Sequence, residues 1–316
     1  MRALRFSRPG HPLEVLELVE LPEPKPGPGQ ALVEVLASPI SPTDRLGLRG
    51  LYPLPFADNI PGVQGVARVL ELGPDCGGPP VGSMIILPVR CGAWRERLCV
   101  PVAELVVIPP GRDPAESSTL RIEALTAAVL LDDLAPGDWF IHSPGAGAVG
   151  RYLTALGGLR DMHSIALVGS REPIADLWGL GADHVLVREP SLPNRLAELG
   201  LPSPRMAFDG SGGVASELLA TCMAPTGELI VYGAVSRMPV QLSVAQLVFR
   251  DIQVRGFWLY RWARAAGPEY VQASLQELVT LNLRERVEAQ VSLDDWRDGL
   301  HLSEQPGIRG RVVLTP

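Results

Sequence analysis

The pattern of apolar and polar positions divides the chain near residue 116. Up to about residue 115, short segments of alternating apolar and polar residues are separated by turns rich in Pro and Gly, and these segments include 31–36, 66–70 and 84–87. A period of two residues is typical of half-buried strands. Beyond residue 116, short apolar strands alternate with helical runs, which is the pattern of a parallel sheet with crossover helices. The chain is therefore predicted to join a β-rich region to an α/β region.

The individual elements follow from the same pattern. A helix is predicted over 115–134, and strands over 139–142, 165–168, 184–187, 206–208 and 229–232. After about residue 260 the pattern predicts an amphipathic helix (268–282), a strand (287–291), a short helix (293–302) and a final strand (311–314). These last elements are expected to return to the first domain. The predicted organisation is a β-rich domain made of 1–115 and 261–316, and a doubly wound dinucleotide-binding domain over 116–260.

Length, charge and cysteine usage limit the class of protein. A chain of 316 residues is long enough to form two domains. The net charge of −7 and the lack of a Lys/Arg run argue against nucleic-acid and anionic-membrane partners, which need a basic surface. No stretch approaches the roughly eighteen apolar residues of a membrane span, and no signal-peptide run follows the first residues, so a cytoplasmic protein is expected. The four cysteines lack CxxC spacing and are interpreted as reduced thiols.

The most informative motif is a glycine-rich turn, Gly145-Ala146-Gly147-Ala148-Val149-Gly150. A GxGxxG string carries little information alone, but this one follows a predicted strand and opens a predicted helix, which is the setting of a dinucleotide-binding turn. Glycines there permit a tight turn and a close approach of the backbone to a pyrophosphate. The helix N-terminus then offers amide groups and a positive dipole end to the phosphates. Residues 145–149 are therefore predicted to contact a dinucleotide cofactor.

The residues that follow the next predicted strand, 165–168, indicate whether the cofactor is NADPH or NADH. There the chain has Ser170 and Arg171, which can both donate hydrogen bonds to a 2′-phosphate. An acidic residue would instead hold the ribose 2′-hydroxyl of NADH. Glu172 supplies such a carboxylate and leaves that alternative open. The predicted cofactor is NADPH.

Several motifs, taken in order, resemble the medium-chain dehydrogenase/reductase superfamily, and within it the branch of quinone reductases and mitochondrial-type 2-enoyl thioester reductases. The resemblance spans nearly the whole chain. It is carried by the glycine turn and by five further segments: 38–44 (SPISPTD), 50–53 (GLYP), 60–67 (IPGVQGVA), 181–185 (GADHV) and 254–262 (VRGFWLYRW). The resemblance implies a GroES-like β-rich catalytic domain, a Rossmann cofactor domain, and a homodimer formed through the edge of the nucleotide-binding sheet.

The zinc ligands of the superfamily's alcohol dehydrogenases are replaced in this chain. The zinc enzymes have a Cys before the Asp of the first motif and a Gly-His-Glu in the third. Here Ser41 precedes Asp44, and the third motif reads Gly62-Val63-Gln64, while the four-Cys structural lobe is absent. No metal is therefore expected, and zinc-assisted alcohol oxidation is excluded.

Hydride transfer to a polarised double bond is the chemistry that this resemblance implies. Tyr52 lies where the enoyl reductases have their catalytic tyrosine, and a phenol can donate a hydrogen bond or a proton to a developing enolate. Quinone reductases often have a similar Gly-x-Tyr, so Tyr52 can equally be an amphipathic turn residue.

Further cofactor contacts are implied only by the resemblance. It places a segment after a later strand beside the nicotinamide, an aromatic segment near it, and a terminal basic residue at a cofactor phosphate. These residues are Tyr232, Gly233, Ala234 and Val235, then Phe257, Trp258 and Leu259, and finally Arg311. The chain departs from the enoyl reductases at Glu123-Ala124, where they have Asn-Pro. The contact that the side-chain amide of this Asn makes to the cofactor in the enoyl reductases is thus lost or replaced here.

Three functions are compatible with these residues. The first is reduction of a 2-enoyl thioester by NADPH, with hydride reaching the β carbon. The second is an NADPH:quinone or small-enone reductase, which needs no thioester pocket. The third is a non-catalytic NADPH-binding redox sensor. Whether CoA, a carrier protein or a free small molecule presents the substrate is left open, because no basic cleft for CoA phosphates is evident.

Overall fold

The computed structural model describes residues 1–53, 55–305 and 307–316. The chain forms two units, which are Met1–Leu125 with Ala266–Pro316 (the β-rich unit) and Thr126–Ala265 (the parallel-sheet unit). The sequence pattern places the corresponding boundaries at 115 and 261. The predicted α/β class, with an antiparallel β-rich part and a doubly wound parallel sheet, is confirmed.

In chain order, the strands of the described residues are β1 (Arg2–Phe6), β2 (Leu16–Glu20), β3 (Gln30–Pro39), β4 (Val66–Leu72), β5 (Met84–Ile86), β6 (Arg97–Pro101), β7 (Val106–Val107), β8 (Trp139–Ser143), β9 (His163–Val168), β10 (His184–Val187), β11 (Met206–Asp209), β12 (Glu228–Val231), β13 (Gln253–Gly256), β14 (Val287–Ser292) and β15 (Arg311–Thr315).

The helices are α1 (Pro12–Val15), α2 (Pro42–Leu48), α3 (Pro114–Ser117), α4 (Leu125–Leu130), α5 (Ala148–Leu159), α6 (Ile174–Gly179), α7 (Leu192–Glu198), α8 (Val214–Cys222), α9 (Val244–Val248), α10 (Leu259–Ala266), α11 (Pro268–Thr280) and α12 (Trp296–Ser303). Two 3₁₀ turns (Ala57–Asn59 and Val102–Glu104) and a π-helical turn (Leu120–Ala124) complete them.

The main sheet of the β-rich unit has the order β14-β15-β3-β4-β5-β7, with β6 also paired to β3, and β1 and β2 form a separate hairpin. Side chains of β3 alternate between buried and half-buried positions along most of its length, as its sequence pattern predicts. The chain returns to this unit at Ala266, and its last strand, β15, pairs antiparallel with β3. A core that includes Leu4, Trp94 and Trp296 packs between these strands and helices. The C-terminal elements thus complete the fold of the N-terminal region.

The parallel-sheet unit has the strand order β10-β9-β8-β11-β12-β13. The chain runs outward from β8 to β10 and then restarts at β11, so the direction of winding switches between β8 and β11. In such sheets ligands bind outside the carboxyl ends of the strands at the switch point. Strands β8, β9 and β11 are buried almost throughout, because helices cover both faces of a doubly wound sheet. The glycine turn directly follows β8 and so lies at this point.

Two elements differ from the sequence prediction. The continuous helix predicted over 115–134 is wrong, because this stretch forms α3, the π-helical turn and α4, which ends at Leu130. Strand β13 is not visible in the pattern, since all four of its residues are exposed and no alternation marks it. Tertiary contacts and a position at the sheet edge decide these two elements.

Candidate functional site

The glycine turn is packed tightly against the neighbouring strand. The amide of Gly145 donates to the carbonyl of Leu167, at the end of β9, over 2.7 Å. A Cβ on Gly145 would lie 3.0 Å from the Cβ of Ala166, and one on Gly150 would lie 2.7 Å from the carbonyl oxygen of Gly145. Because real Cβ atoms essentially never approach a backbone atom closer than 3.0 Å, position 150 requires glycine, whereas position 145 leaves little room for a side chain. The turn is therefore packed so closely that its glycines bring backbone to backbone.

The start of α5 leaves its first amide groups without a side-chain cap. Gly147 is the N-cap residue and makes no side-chain hydrogen bond. Ala148 and Val149 form the first turn and are half-buried, as is Ala146 before them. An uncapped N-terminus of a twelve-residue helix presents free N–H groups and the positive end of the helix dipole. The residues present fit a dinucleotide pyrophosphate.

Ser170 and Arg171 lie on the exposed loop between β9 and α6. Both line an open groove of about 560 Å³ beside β10, together with Trp178 and Arg195. A second cation, Arg188, follows β10, and its Nη2 atom would lie 3.5 Å from a Cβ placed on Gly169. Sequence reasoning missed Arg188, although a basic residue directly after the strand next to β9 is a signal that could have found it.

The segment predicted beside the nicotinamide follows the carboxyl end of β12. The amide of Tyr232 donates to the carbonyl of Asp209 over 2.9 Å, and that of Val235 donates to the carbonyl of Gly210 over 3.0 Å. The Tyr232 ring packs on Gly210, where a Cβ would lie 2.6 Å from the ring. Burial, with a smaller contribution from Asp209, raises the pKa of Tyr232. Gly233 lies in the same segment, and Ala234 is exposed.

Asp209 is a residue that sequence reasoning missed. It ends β11 and is fully buried. Its carboxylate accepts from the amides of Ser211 (2.7 Å) and Gly212 (2.9 Å) and from the hydroxyl of Ser216 (2.5 Å). The loop after β11 is thereby fixed at the carboxyl edge of the sheet, next to the segment that begins at Tyr232.

The three residues of the aromatic segment after β13, 257–259, differ in how far their side chains are buried. The amide of Phe257 donates to the carbonyl of Val231 over 2.8 Å, and its side chain is half-buried. Trp258 is 36% exposed and its ring centroid lies 5.8 Å from that of Tyr260. Leu259 is buried at the start of α10. The parallel-sheet unit therefore gathers the predicted residues 145–149, 170–171, 232–235 and 257–259 after the carboxyl ends of β8, β9, β12 and β13.

Tyr52 belongs to the β-rich unit. It is half-buried in the loop after α2, two residues beyond Gly50, whose φ of 71° favours glycine. Leu54, two residues after Tyr52, lies outside the described residues. The phenol is thus placed on an irregular loop, as the sequence predicts, and its part in catalysis stays a prediction.

Asp44 connects two of the sequence motifs. It forms a capping box with Ser41 at the start of α2, and its Oδ1 atom accepts from the amides of Gly62 (2.9 Å) and Val63 (3.0 Å). Burial raises the pKa of Asp44 to about 6, although all of these hydrogen bonds act in the opposite direction. The positions that hold zinc ligands in the dehydrogenases are therefore occupied by a structural hydrogen-bond network. Among the described residues, no group of three or more His, Cys, Asp and Glu side chains is arranged to hold a metal ion.

Arg311 lies in a buried polar cluster with Gln64 and Glu123, which we call the Glu123 cluster. The Nη2 atom of Arg311 donates to Oε1 of Glu123 over 2.7 Å. The side-chain Nε2 atom of Gln64 donates to Oε2 of Glu123. The Oε1 atom of Gln64 accepts from the backbone amide of Ile122 over 3.0 Å. Glu123, which stands where the enoyl reductases have Asn, is therefore the partner of Arg311, for which the resemblance predicts a contact to a cofactor phosphate. Its role was missed because the three residues are far apart in sequence.

The chain shares a family model and long stretches of sequence with known oxidoreductases. Residues 148–278 match the model of zinc-binding dehydrogenases. The match begins after both motifs in which zinc ligands would lie. The mitochondrial enoyl-[acyl-carrier-protein] reductase of Bos taurus is 31% identical over 333 residues, which span 100% of this chain and 88% of the relative. The corresponding human protein is 30% identical with the same coverage.

Solved structures of similar proteins have the same fold. The mitochondrial 2-enoyl thioester reductase Etr1p/Etr2p heterodimer from Candida tropicalis has a TM-score of 0.87 at 22% identity, with 100% of this chain and 99% of that chain covered. A complex of Etr1p with NADP and crotonyl-CoA has a TM-score of 0.88 at 22% identity, with coverages of 100% and 99%. A mycobacterial quinone oxidoreductase has a TM-score of 0.83 at 25% identity, with 100% of both chains covered.

Proposed function

This chain belongs to the zinc-independent medium-chain dehydrogenase/reductase family, in its branch of enoyl and quinone reductases, and we propose that it reduces the C=C bond of a 2-enoyl thioester with NADPH. The chain is therefore an oxidoreductase. The observation that carries the proposal is the identity of 31% with an enoyl-[acyl-carrier-protein] reductase over the full length of the chain. The cofactor proposal is supported by the uncapped glycine turn and by Ser170 and Arg171.

The protein contributes binding and orientation to this reaction. When bound, NADPH supplies a hydride for the β carbon of the substrate, and a proton must reach the α carbon. The first-turn amides of α5 bind the pyrophosphate. Ser170 and Arg171 hold the 2′-phosphate, with Arg188 as a second cation on the same edge. Segments 232–235 and 257–259 orient the nicotinamide, so that the hydride donor and acceptor carbons are held in a reactive arrangement.

Tyr52 is the proposed donor on the substrate side. Its phenol donates a hydrogen bond or the proton to the enolate that forms when hydride reaches the β carbon. Tyr52→Phe is expected to lower kcat with an enoyl thioester by about 100-fold, because general-acid groups contribute effects of this size. Tyr270→Phe, on an exposed tyrosine of the same unit, serves as the control. Unchanged turnover of Tyr52→Phe would remove Tyr52 from the chemistry.

The alternative is reduction of a quinone or small enone. It is favoured by Glu123, which stands where the enoyl reductases have Asn-Pro, and by the 25% identity with the mycobacterial quinone oxidoreductase. The two functions are separated by measuring NADPH oxidation with crotonyl-CoA and with a simple quinone. Turnover with crotonyl-CoA supports the enoyl thioester, and turnover confined to the quinone selects the alternative.

A homodimer is proposed from the edge of the parallel-sheet unit. Strand β13 is the last strand of its sheet, and α9 and the residue after it expose Val244 (72%), Val248 (65%) and Phe249 (83%). So large an apolar exposure is typical of an interface. Light scattering should give a dimer for the unmodified chain and a monomer for Phe249→Lys. The matched control is Trp178→Lys, which alters an exposed aromatic residue beside the opposite edge strand. A monomeric unmodified chain would contradict the proposal.

The place of action is a further proposal. No helix in the described part of the chain has the length and apolar run needed to cross a membrane. The sequence predicts a cytoplasmic protein, whereas the Bos taurus and human relatives are described as mitochondrial. We propose the cytoplasm, and localisation of the tagged chain to an organelle would contradict this.

A further inference from the structure

Asp209 lies at the point of the parallel sheet where the direction of winding changes. It is the last residue of β11, and its register partners on the two neighbouring strands are Ser143, which ends β8, and Val231, which ends β12. The amide of Gly210 also donates to the carbonyl of Ser143 over 2.7 Å. Asp209 therefore lies between the glycine turn, which begins two residues after Ser143, and the segment that begins at Tyr232.

The strand order places the two halves of a dinucleotide on opposite sides of the glycine turn. In the proposed function, Ser170 and Arg171, after β9, hold the adenosine 2′-phosphate, and the amides after β8 hold the pyrophosphate. Strand β9 lies on one side of β8, and β11 lies on the other. A dinucleotide spans the crevice at the switch point, so its nicotinamide half extends over the carboxyl ends of β11 and β12. This placement needs only residues of the parallel-sheet unit.

The side chain of Asp209 is a buried carboxylate whose hydrogen-bond donors are all neutral. It is 0% exposed. Its Oδ1 atom accepts from the amides of Ser211 and Gly212, and its Oδ2 atom accepts from the hydroxyl of Ser216. No Lys, Arg or His in the described part of the chain forms an ion pair with it. Neutral donors leave the net charge in place, and a buried charge acts over a longer distance because little water screens it.

The charge of Asp209 is felt by the segment after β12. It adds to the effect of burial, which is the larger cause, in raising the pKa of the Tyr232 hydroxyl. Two cations belong to the same edge of the sheet, Arg237 after β12 and Arg261, which donates to the carbonyl at the end of β13. Both are exposed, so water and salt screen their charges. The buried ends of β11 and β12 are therefore expected to have a negative potential.

We propose that the charge of Asp209 stabilises the nicotinamide cation of NADP⁺ relative to the neutral ring of NADPH. The inference rests on the proposed function. There, the hydride leaves C4 with both electrons of its C–H bond and forms a new C–H bond at the β carbon, and the ring is left as a cation. Because positive charge develops on the ring as the hydride leaves, a fixed negative charge nearby also favours the transition state. Asp209 acts through its field and needs no contact with the reacting atoms.

The direct test is the affinity of the intact protein for NADP⁺ and for NADPH, measured by calorimetry for Asp209→Asn. Asn has nearly the shape of Asp. Its oxygen can accept from the two amides, and its nitrogen can donate to the Ser216 hydroxyl, which is able to accept as well as donate. The melting temperature is recorded to show that the variant is folded.

We expect the dissociation constant for NADP⁺ to rise by about tenfold in Asp209→Asn. This is the order of effect of one unit charge on another about 10 Å away at an effective dielectric constant of about 20. The dissociation constant for NADPH should change by less than about twofold. Since the two cofactors share the pyrophosphate and the 2′-phosphate, a disturbance at these groups changes both affinities equally and cancels in their ratio. The kcat at saturating NADPH should fall, by no more than the same factor.

A second variant and a control separate charge from shape. Asp209→Glu keeps the charge and alters the geometry, so both affinities should fall together, with their ratio unchanged within about twofold. The control is Asp138→Asn. It removes a carboxylate next to the first residue of β8, at the opposite edge of the same sheet, where Asp138 accepts from the amide of Ala135 and pairs with Arg205. This variant should leave both affinities unchanged.

Three outcomes would overturn the proposal. The first is a folded Asp209→Asn variant in which both dissociation constants change by the same factor, which would limit Asp209 to holding the loop after β11. The second is tighter binding of NADP⁺ by this variant. The third is a tenfold change of the ratio in Asp209→Glu, which decides the question even if Asp209→Asn does not fold. If the unmodified chain binds neither NADP⁺ nor NADPH, the proposed function itself fails, and this result is distinct from the other three.

Discussion

The glycine turn of the parallel-sheet unit and the Glu123 cluster of the β-rich unit both hold polar groups in fixed positions, yet they are built differently. The turn uses six consecutive residues and the backbone amides of one helix. The cluster uses three side chains from positions 64, 123 and 311, buried together. A backbone site depends on the absence of Cβ atoms, whereas a side-chain site depends on correct pairing of charges and donors. The two sites should therefore respond differently to mutation and to pH.

The largest effect is expected in the backbone site, from Gly150→Ala. The added Cβ would meet the carbonyl oxygens of Pro144 and Gly145, so the turn must open and its amides must leave the phosphate. Loss of two hydrogen bonds to a charged group corresponds to about 100-fold weaker NADPH binding. The measurement is a calorimetric titration.

Gly158→Ala, on the same helix, is the matched control. Its Cβ would lie 3.6 Å from the carbonyl of Gly181, an ordinary contact. This substitution should leave binding unchanged and raise stability by up to about 1 kcal/mol, because Ala favours helix more than Gly does. Equal losses of affinity in the two variants would contradict the description of the turn.

The next effect concerns a buried carboxylate of the β-rich unit. Asp44→Asn should lower the free energy of unfolding by about 2–3 kcal/mol at neutral pH, because an amide cannot accept from all the donors that surround Asp44. The pKa of Asp44 is raised to about 6. Protonation of Asp44 therefore stabilises the folded chain. This stabilisation is fully present below pH 3.8, the pKa of an unfolded aspartate, and is lost as the pH rises through 6.

The loss caused by Asp44→Asn should accordingly be about 1 kcal/mol larger at pH 5 than at pH 7.5. Urea unfolding at both pH values measures it. Asp58→Asn, at an exposed partner of Arg95, is the control and should cost less than about 0.5 kcal/mol. A loss that shrinks on acidification would show that the direction of the pKa shift is wrong.

The parallel-sheet unit should have the opposite pH dependence, through His142. This side chain is fully buried on β8, and burial lowers its pKa to about 3. The neutral imidazole of His142 contributes to the stability of the folded chain above pH 6.5, the pKa of an unfolded histidine, and this contribution is lost as the pH falls towards 3. The destabilisation caused by His142→Gln should therefore be smaller at pH 5 than at pH 7.5, by about 2 kcal/mol. A pH-independent difference in urea unfolding would contradict this.

The smallest effect is expected for cofactor preference. Arg171→Ala should lower the ratio of kcat/KM for NADPH to that for NADH by about tenfold, because one charge-assisted contact to the 2′-phosphate is removed. Arg188→Ala should lower it less. Arg195 lines the same groove but is paired with Glu198, so Arg195→Ala should leave the ratio unchanged. An unaltered ratio in Arg171→Ala would favour NADH recognition through Glu172.

The features that the sequence predicts well are those set by neighbouring residues. The pattern places the strand 184–187 and the glycine turn at their observed positions, since local pattern and backbone geometry determine them. The continuous helix predicted over 115–134 is wrong. The stretch contains a π-helical turn, in which the amide of Ile122 donates to the side chain of Gln64 and Glu123 pairs with Arg311. Such contacts between remote residues leave no periodic signal. Asp209 is missed for a related reason, since only the order of the strands in the sheet places it on the edge that carries the glycine turn.

The central claim is that this chain transfers a hydride from NADPH to the β carbon of an enoyl thioester. Crotonyl-CoA is incubated with the enzyme and NADPH that carries deuterium at the transferred position of C4, and the product is examined by mass spectrometry and NMR. We expect butyryl-CoA with one deuterium at the β carbon and a solvent-derived proton at the α carbon. Oxidation of the labelled NADPH by a quinone, with crotonyl-CoA recovered unchanged and unlabelled, would contradict the claim.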